Sequence, residues 1–124
     1  MPYEITKPRS DVIVVDMIGE LSIDDLDQLN KEVVVDYATN DSVSYYIVYK
    51  VGELKKFPTD ISALRRVSEP ISSHKGIEIQ IITGVQNRIF NFLLNIIGQM
   101  FKQTLVKRDT LEEAFDFIEK AKQP

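Results

Sequence analysis

Residues 11–18 of this chain read Asp-Val-Ile-Val-Val-Asp-Met-Ile and run into Gly19. β-branched side chains crowd this stretch with little alternation, which is typical of a strand buried on both faces of a parallel sheet. We expect residues 3–7, just upstream, to pair with it as a short edge strand. The stretch therefore predicts a sheet at the centre of the fold.

Three more stretches repeat the strand pattern. Residues 43–51 (VSYYIVYKV) are rich in Tyr and Val, residues 77–83 (IEIQIIT) alternate and then become apolar, and residues 104–107 form a short run. Four segments between or after these strands carry helix signals. Their predicted starts are Ser22, Thr59, Gln86 and Thr110. Alternating strands and helices predict an α/β domain over residues 1–124, with a four- to five-stranded, mainly parallel sheet and four helices.

Capping residues mark the helix starts. Ser22 offers a capping oxygen, Thr59 offers another, and Thr110 with Glu113 has the spacing of a capping box. Apolar side chains at helical spacing predict the faces that meet the sheet. These side chains are Ile23, Leu26, Leu29, Val33, Val34, Tyr37, Ile61, Leu64, Val67, Ile71, Leu111, Ala114, Phe115, Ile118 and Ala121.

Breaking residues mark the segment ends. Asn40 and Asp41 predict a turn, and residues 52–58 predict a loop. Pro70 should kink or end the second helix, because it lacks an N–H and clashes one turn back. Gly76 is expected to stop that segment as a helix C-terminal glycine.

Composition excludes several classes of protein. The chain has 124 residues, of which 44% are hydrophobic and 27% charged, and it carries a net charge of −4. The acidic balance argues against nucleic-acid binding, and the absence of cysteine excludes disulfides and thiolate metal sites. The start has no apolar signal segment and no stretch is long enough to span a membrane, so a cytoplasmic protein is expected.

No pattern of catalytic residues is visible. The single histidine, His74, is predicted to be a solvated residue at a helix end. Acidic residues cluster at predicted helix starts, where capping and solvation explain them, and neither a Gly-rich phosphate loop nor a nucleophile elbow occurs. We therefore expect no enzyme activity, no metal and no cofactor.

The segment from Phe57 to Leu64 is a first candidate site. It places Ser62 in the first turn of the second helix, with its hydroxyl expected near solvent, so a phosphate there would meet free backbone N–H groups. Thr59, Asp60 and Leu64 complete this helix start. The alternative reading is a plain capping segment.

The predicted helix over residues 86–102 is a second candidate. Its apolar residues cover roughly 200° of the helix circumference, more than one sheet face can bury. Phe92 lies at one margin, and Leu94 and Phe101 lie at the other. Either neighbouring helices cover these margins, or they form an exposed patch for a protein partner, a lipid-like ligand or a membrane surface.

Four motifs, taken together, resemble the STAS superfamily. They are residues 12–21 (VIVVDMIGEL), residues 45–51, residues 76–84 (GIEIQIITG) and residues 110–117 (TLEEAFDF). Their order is similar to that of sulphate-transporter cytoplasmic domains and anti-sigma-factor antagonists, and most of all to the SpoIIAA-like branch. The resemblance implies a SpoIIAA-like fold over nearly the whole chain.

The antagonist branch carries Asp-Ser-Ser-Gly-Leu at the start of its second helix, with the second serine phosphorylated. Asp60, Ser62 and Leu64 match this motif, whereas Ile61 and Ala63 replace the first serine and the glycine. The resemblance therefore implies Ser62 as the phosphorylation candidate. It also implies a non-enzymatic regulatory module with a protein partner or a homodimer. The alternative, from the likeness of this branch to CRAL-TRIO domains, is a carrier of an apolar ligand.

Overall fold

The computed structural model of the chain describes residues 2–85, 95 and 104–123. The strands are β1 (Tyr3–Arg9), β2 (Val12–Glu20), β3 (Tyr45–Lys56), β4 (Ile77–Thr83) and β5 (Thr104–Arg108). They form one sheet in the order β1-β2-β3-β4-β5. β1 runs antiparallel to β2, and the other three pairings are parallel. The predicted mainly parallel sheet and the predicted edge strand beside β2 are therefore confirmed, and the structure adds that this edge strand runs antiparallel.

Helices connect and cover these strands. They are α1 (Ile23–Glu32), which continues into a π-helical turn (Val33–Tyr37), then α2 (Ile61–Val67), α3 (Glu69–Ser72) and α4 (Leu111–Lys122). The predicted helix over residues 86–102 lies outside the described residues, apart from Asn95, which is helical. No helix in the described part of the chain is long and apolar enough to cross a membrane.

The two faces of the sheet carry separate apolar clusters. On the front face, alternate strand residues such as Ile13, Val15 and Ile47 pack against α1, the π turn, α2 and α3. On the back face, Val12, Val14, Val48 and Ile81 pack against Ala114 and Ile118 of α4. β2 and β3 contribute to both clusters, which is why residues 12–15 and 45–49 are apolar or aromatic at every position.

The helix starts at Ser22 and Thr110 are as predicted. Ser22 Oγ accepts a hydrogen bond from the Asp25 N–H at 3.1 Å, and the Asp25 carboxylate accepts one from the Ser22 N–H at 2.9 Å. Thr110 Oγ1 accepts from the Glu113 N–H at 3.1 Å, while Glu113 accepts from the Asp109 N–H instead of that of Thr110. Both caps satisfy N–H groups that the helix leaves unpaired.

β3 is longer than its sequence indicates. The loop predicted over residues 52–58 begins only after Lys56, because β2 continues to pair with β3 through Ile18–Glu53, Gly19–Leu54 and Glu20–Lys56. Two register irregularities, after Asp16 and after Gly19, each absorb one extra residue of β3. Backbone pairing with a neighbouring strand here overrides the loop-like composition.

The expectations for Gly76 and Ala121 are wrong. Gly76 does not end a helix, since α3 stops at Ser72; a Cβ on Gly76 would lie 2.2 Å from the Val43 carbonyl oxygen, so glycine is required by space. Ala121 is exposed, and next to it Lys122 Nζ lies 2.6 Å from Oδ2 of Asp11, in the turn between β1 and β2. The break expected at Pro70 is confirmed between α2 and α3.

His74 is buried, and the prediction of a solvated histidine is wrong. Its Nε2 lies 2.8 Å from the Ala38 carbonyl oxygen, and its Nδ1 accepts a hydrogen bond from the Gly76 N–H at 2.9 Å. The ring meets Tyr45 edge-on, with centroids 5.9 Å apart, and Asp41 Oδ1 lies 3.4 Å from Nε2. The accepting Nδ1 implies that the ring proton sits on Nε2. His74 thus ties the end of the π turn to the start of β4.

The edge strand β1 is also tied to a front-face helix. The Tyr3 hydroxyl donates to Glu32 of α1 at 2.9 Å. Burial, followed by the hydrogen bond and charge of Glu32, raises the pKa of Tyr3 to about 12. The phenol therefore stays protonated and keeps donating well beyond neutral pH.

Candidate functional site

The segment between β3 and α2 carries the site residues predicted from the sequence. Asp60, and not Thr59, is the N-cap of α2: its carboxylate accepts a hydrogen bond from the Ala63 N–H at 3.2 Å. The cap predicted at Thr59 is therefore wrong by one residue, because Asp60 has the extended backbone that an N-cap requires. Ser62 lies in the first turn of α2 and is exposed.

α2 separates its buried and exposed residues cleanly. Leu64 and Val67 are buried in the front cluster, so Leu64 anchors the helix and does not belong to the surface. Arg65 and Arg66 are exposed and lie three and four residues after Ser62. Helical spacing places side chains three and four residues apart on one side of a helix. Ser62 and the two arginines therefore share the outer side of α2.

We use the term α2 surface for these exposed residues together with the residues that lead into the helix. Its members are Lys55, Lys56, Thr59, Asp60, Ser62, Arg65 and Arg66, all of them exposed. Four are basic and one is acidic, although the whole chain carries a net charge of −4. The α2 surface is thus locally basic on an acidic protein.

The carboxyl ends of β2 and β3 support this surface. The Leu21 N–H donates to the Lys56 carbonyl oxygen at 3.0 Å, which joins the β2–α1 connection to the end of β3. Gly19 has a φ of 70° at the end of β2 and allows the chain to turn there. Binding sites in open α/β sheets commonly form at the carboxyl ends of parallel strands, which is where the α2 surface lies.

The second predicted site cannot be placed. Phe92, Leu94 and Phe101 lie outside the described residues, so the exposed apolar patch expected there stays a prediction.

A buried polar pair on the front face was missed from the sequence. The Tyr49 hydroxyl of β3 donates to Gln80 Oε1 of β4 at 2.7 Å. Burial raises the pKa of Tyr49 above its usual range. Gln80 is 3% exposed, and its Nε2 is the one buried side-chain atom of the described residues without a hydrogen-bond partner. The only signal in the sequence was a glutamine inside the otherwise apolar second half of IEIQIIT.

The described side chains do not assemble a recognisable reaction centre. In the part of the chain that the structure describes, no group of three or more His, Asp or Glu side chains could hold a metal ion. His74 bonds through both ring nitrogens to backbone groups, so it already has a structural role. The arrangement on the α2 surface suits recognition by charge and hydrogen bonding.

Solved structures share this architecture. The chain aligns with an uncharacterised protein of the DUF3478 family with a SpoIIAA-like fold, from Shewanella loihica PV-4; the TM-score is 0.67 and the identity 13%, over 93% of this chain and 90% of that one. It also aligns with the anti-sigma factor antagonist SpoIIAA in its unphosphorylated form, with a TM-score of 0.60 and 12% identity, over 94% of this chain and 97% of that one. The Bacillus cell fate determinant SpoIIAA in its phosphorylated form gives 0.57 and 15%, over 94% and 98%.

These likenesses define the class of fold. The chain is an α/β domain with the SpoIIAA-like fold, which confirms the fold that the resemblance in the sequence implies. No protein family matches it by sequence, and no curated protein does. Identities of 12–15% establish the fold alone, so function has to be argued from the side chains.

Proposed function

We propose that this chain is a non-enzymatic regulatory domain that docks an acidic protein partner through the α2 surface. One observation carries the proposal: Ser62, Arg65 and Arg66 are exposed together on α2, in a fold shared with an anti-sigma factor antagonist. Because Lys55 and Lys56 add two more cations beside them, an acidic partner surface would complement this one and be steered towards it.

Ser62 supplies a means of control. A phosphate on Ser62 would add a charge of about −1.5 to −2 within reach of Arg65 and Arg66. It would pair with those arginines and cancel part of the basic surface. Phosphorylation should then release an acidic partner. SpoIIAA, which has been solved in phosphorylated and unphosphorylated forms, is a neighbour in fold that exists in both states.

Site-directed photo-crosslinking in the cells that make the protein tests the docking surface. A crosslinker at position 62 should capture a partner that the double variant Arg65→Glu/Arg66→Glu no longer captures. A crosslinker at Lys120, exposed on α4, is the matched control and should not capture it. Capture from both positions, or capture that survives the double charge reversal, would overturn the proposal.

Mass mapping of the protein isolated from the same cells tests the control step. We expect phosphate on Ser62 and none on Ser10, an equally exposed serine in the turn between β1 and β2. With the crosslinker moved from position 62 to the neighbouring exposed Thr59, Ser62→Asp should weaken capture of the partner, whereas Ser62→Ala should not. Equal capture by both variants would leave the docking surface standing and rule out the phosphate switch.

A further inference from the structure

α1 and the π turn carry an acidic outer surface. Asp24 and Asp36 are exposed, and neither has an ion-pair partner in the described part of the chain. Asp27 pairs with Lys31 at 3.0 Å. We use the term α1 surface for the residues of this side, which are Asp24, Asp27, Gln28, Lys31, Glu32, Val35 and Asp36. Four of them are acidic and one is basic.

The α1 surface is the electrostatic counterpart of the α2 surface, which has four basic residues and one acidic residue. Within the described ranges, the cations of the α2 surface have no ion-pair partner either. One chain therefore leaves opposite charges uncompensated on two neighbouring helices. A partner with the reverse arrangement of charge would meet both surfaces at once. Complementary charges of this kind guide association and fix its register.

The α1 surface also has space for side chains of a partner. A shallow depression of about 440 Å³ is lined by Asp27, Gln28, Lys31, Glu32, Val35 and Asp36. Val35, which is 70% exposed, gives it an apolar side chain beside the carboxylates. An arginine matches both features, because its methylene stem is apolar and its guanidinium pairs with carboxylates. The α2 surface carries two adjacent arginines, Arg65 and Arg66.

The two helices are arranged so that one chain can present both surfaces to a second copy. Each leads from the end of one parallel strand to the start of the next, so α1 and α2 run in the same direction on the front face. They pack side by side, and Asn30 Nδ2 of α1 donates to the Val67 carbonyl oxygen of α2 at 2.8 Å. A twofold axis along and between them would lay α1 of each copy over α2 of the other. The contact between acidic and basic surfaces would then form twice.

We propose that the acidic partner of the α2 surface is a second copy of this chain, which docks its own α1 surface there in a twofold-symmetric dimer. The contact is mainly charged and exposed at its rim, so the dimer is weak and dissociates at high salt. This assignment rests on the docking function proposed for the α2 surface and names its partner.

Sedimentation of the purified full-length chain at about 50 mM NaCl tests the dimer by exchanging charges. Arg65→Glu/Arg66→Glu makes both surfaces acidic, and Asp24→Lys/Asp36→Lys makes both basic. Each double variant alone should raise the dimer dissociation constant at least about tenfold, because like charges then face each other. An equimolar mixture of the two should associate as tightly as wild type, since each surface again meets its opposite. That recovery also shows that both variants are folded.

A control variant separates the position of the charges from their sum. Lys75→Glu/Lys120→Glu makes the same change in net charge at two exposed lysines outside both surfaces. It should associate far more tightly than Arg65→Glu/Arg66→Glu. An equal loss in this control would assign the effect to total charge and overturn the proposal. The dissociation constant of wild-type protein should rise when NaCl is increased to about 1 M.

The dimer and the docking function fail in different ways. If wild-type protein stays monomeric up to about 1 mM while a crosslinker at position 62 captures another protein, the second copy is wrong and docking of an acidic partner stands. If it stays monomeric and position 62 captures nothing, both are wrong. If wild type dimerises but the mixture of variants does not recover association, the dimer uses a different surface and the proposal is overturned.

Discussion

The front and back faces of the sheet are held in different ways. Among the described helices, α1, α2 and α3 with the π turn cover the front with a broad apolar cluster, whereas α4 covers the back. Around α4, Lys122 pairs with Asp11 and lies 5.8 Å from the centre of the Tyr46 ring, and Arg9 pairs with Glu119 and lies over Phe115. Arg108 lies over Phe117 on the other side, 4.8 Å from the ring centre.

The difference shows how a single helix is positioned on a sheet. In the back cluster, two fully buried residues, Ala114 and Ile118, pack α4 against the sheet. Charged side chains around it then fix its direction, since contacts in its C-terminal half reach Arg9 of β1 on one side and Arg108 of β5 on the other. On the front face, neighbouring helices provide that restriction, and buried neutral hydrogen bonds such as that from Asn30 to Val67 join α1 to α2.

The largest expected effect comes from removing the apolar contact of α4. Ile118→Ala should lower the free energy of unfolding by about 2–5 kcal/mol, because Ile118 is fully buried and its truncation leaves a cavity between α4 and the sheet. Urea denaturation measures it. Ile18→Ala, in β2 and 39% exposed, should change stability by less than about 0.5 kcal/mol. Equal losses of stability in the two variants would contradict the conclusion that the buried apolar contact of Ile118 holds α4 on the sheet.

The second-largest loss of stability is expected at the connection between α3 and β4, on the front face of the sheet. Gly76→Ala should cost about 1–3 kcal/mol, because the new Cβ would lie 2.2 Å from the Val43 carbonyl oxygen and 3.1 Å from the His74 ring. Thermal unfolding in parallel with Lys75→Ala, an exposed neighbour, isolates the steric effect. If Gly76→Ala has the same melting temperature as wild type, the close contact of Gly76 with Val43 and His74 is wrong.

Helix capping should have a moderate and similar effect on both faces. Ser22→Ala on α1 and Thr110→Ala on α4 should each cost about 1 kcal/mol, since each removes an oxygen that accepts from an N–H at 3.1 Å. Chemical denaturation of the two single variants and the double variant tests this. The two caps serve opposite faces, so the double variant should show the sum of the single losses.

The smallest effect should come from the charged rim of α4. Lys122→Ala should cost about 0–1 kcal/mol at low salt, and the difference from wild type should shrink at 1 M NaCl, because salt screens partly exposed pairs. Lys120→Ala, exposed on the same helix, serves as the reference. A loss that persists undiminished in high salt would mean that packing of the lysine stem, and not its charge, stabilises α4.

The sequence predicts an element when the residues that determine it lie close together in the chain. β2 and β4 were recognisable because buried strands need β-branched residues throughout, and Ser62 was placed correctly because Asp60 and the spacing of Leu64 and Val67 lie close to it in the chain. Even there, two neighbouring oxygen-bearing residues competed for the cap, and composition does not distinguish Thr59 from Asp60.

The rest depended on contacts between distant parts of the chain. The end of β3 is a strand only because β2 runs beside it, and residues 52–56 look like a loop when taken alone. His74 binds the Ala38 carbonyl oxygen and the Gly76 N–H, and backbone partners leave no mark on the sequence. Gln80 was read correctly as a strand residue, but only the structure shows that one end of its amide is unpaired.

The π turn after α1 has a consequence for how the length of this chain can vary. Its closing bond, from the Ala38 N–H to the Val33 carbonyl oxygen at 2.7 Å, spans five residues where an α-helix spans four. The turn therefore contains one residue more than an α-helical turn. Val35, which is 70% exposed, contributes little to the core. A chain lacking one residue here would close as an ordinary α-helical turn. In comparisons with distant relatives, a one-residue gap at this turn would mark a change in local winding and not a shift in the register of the sheet.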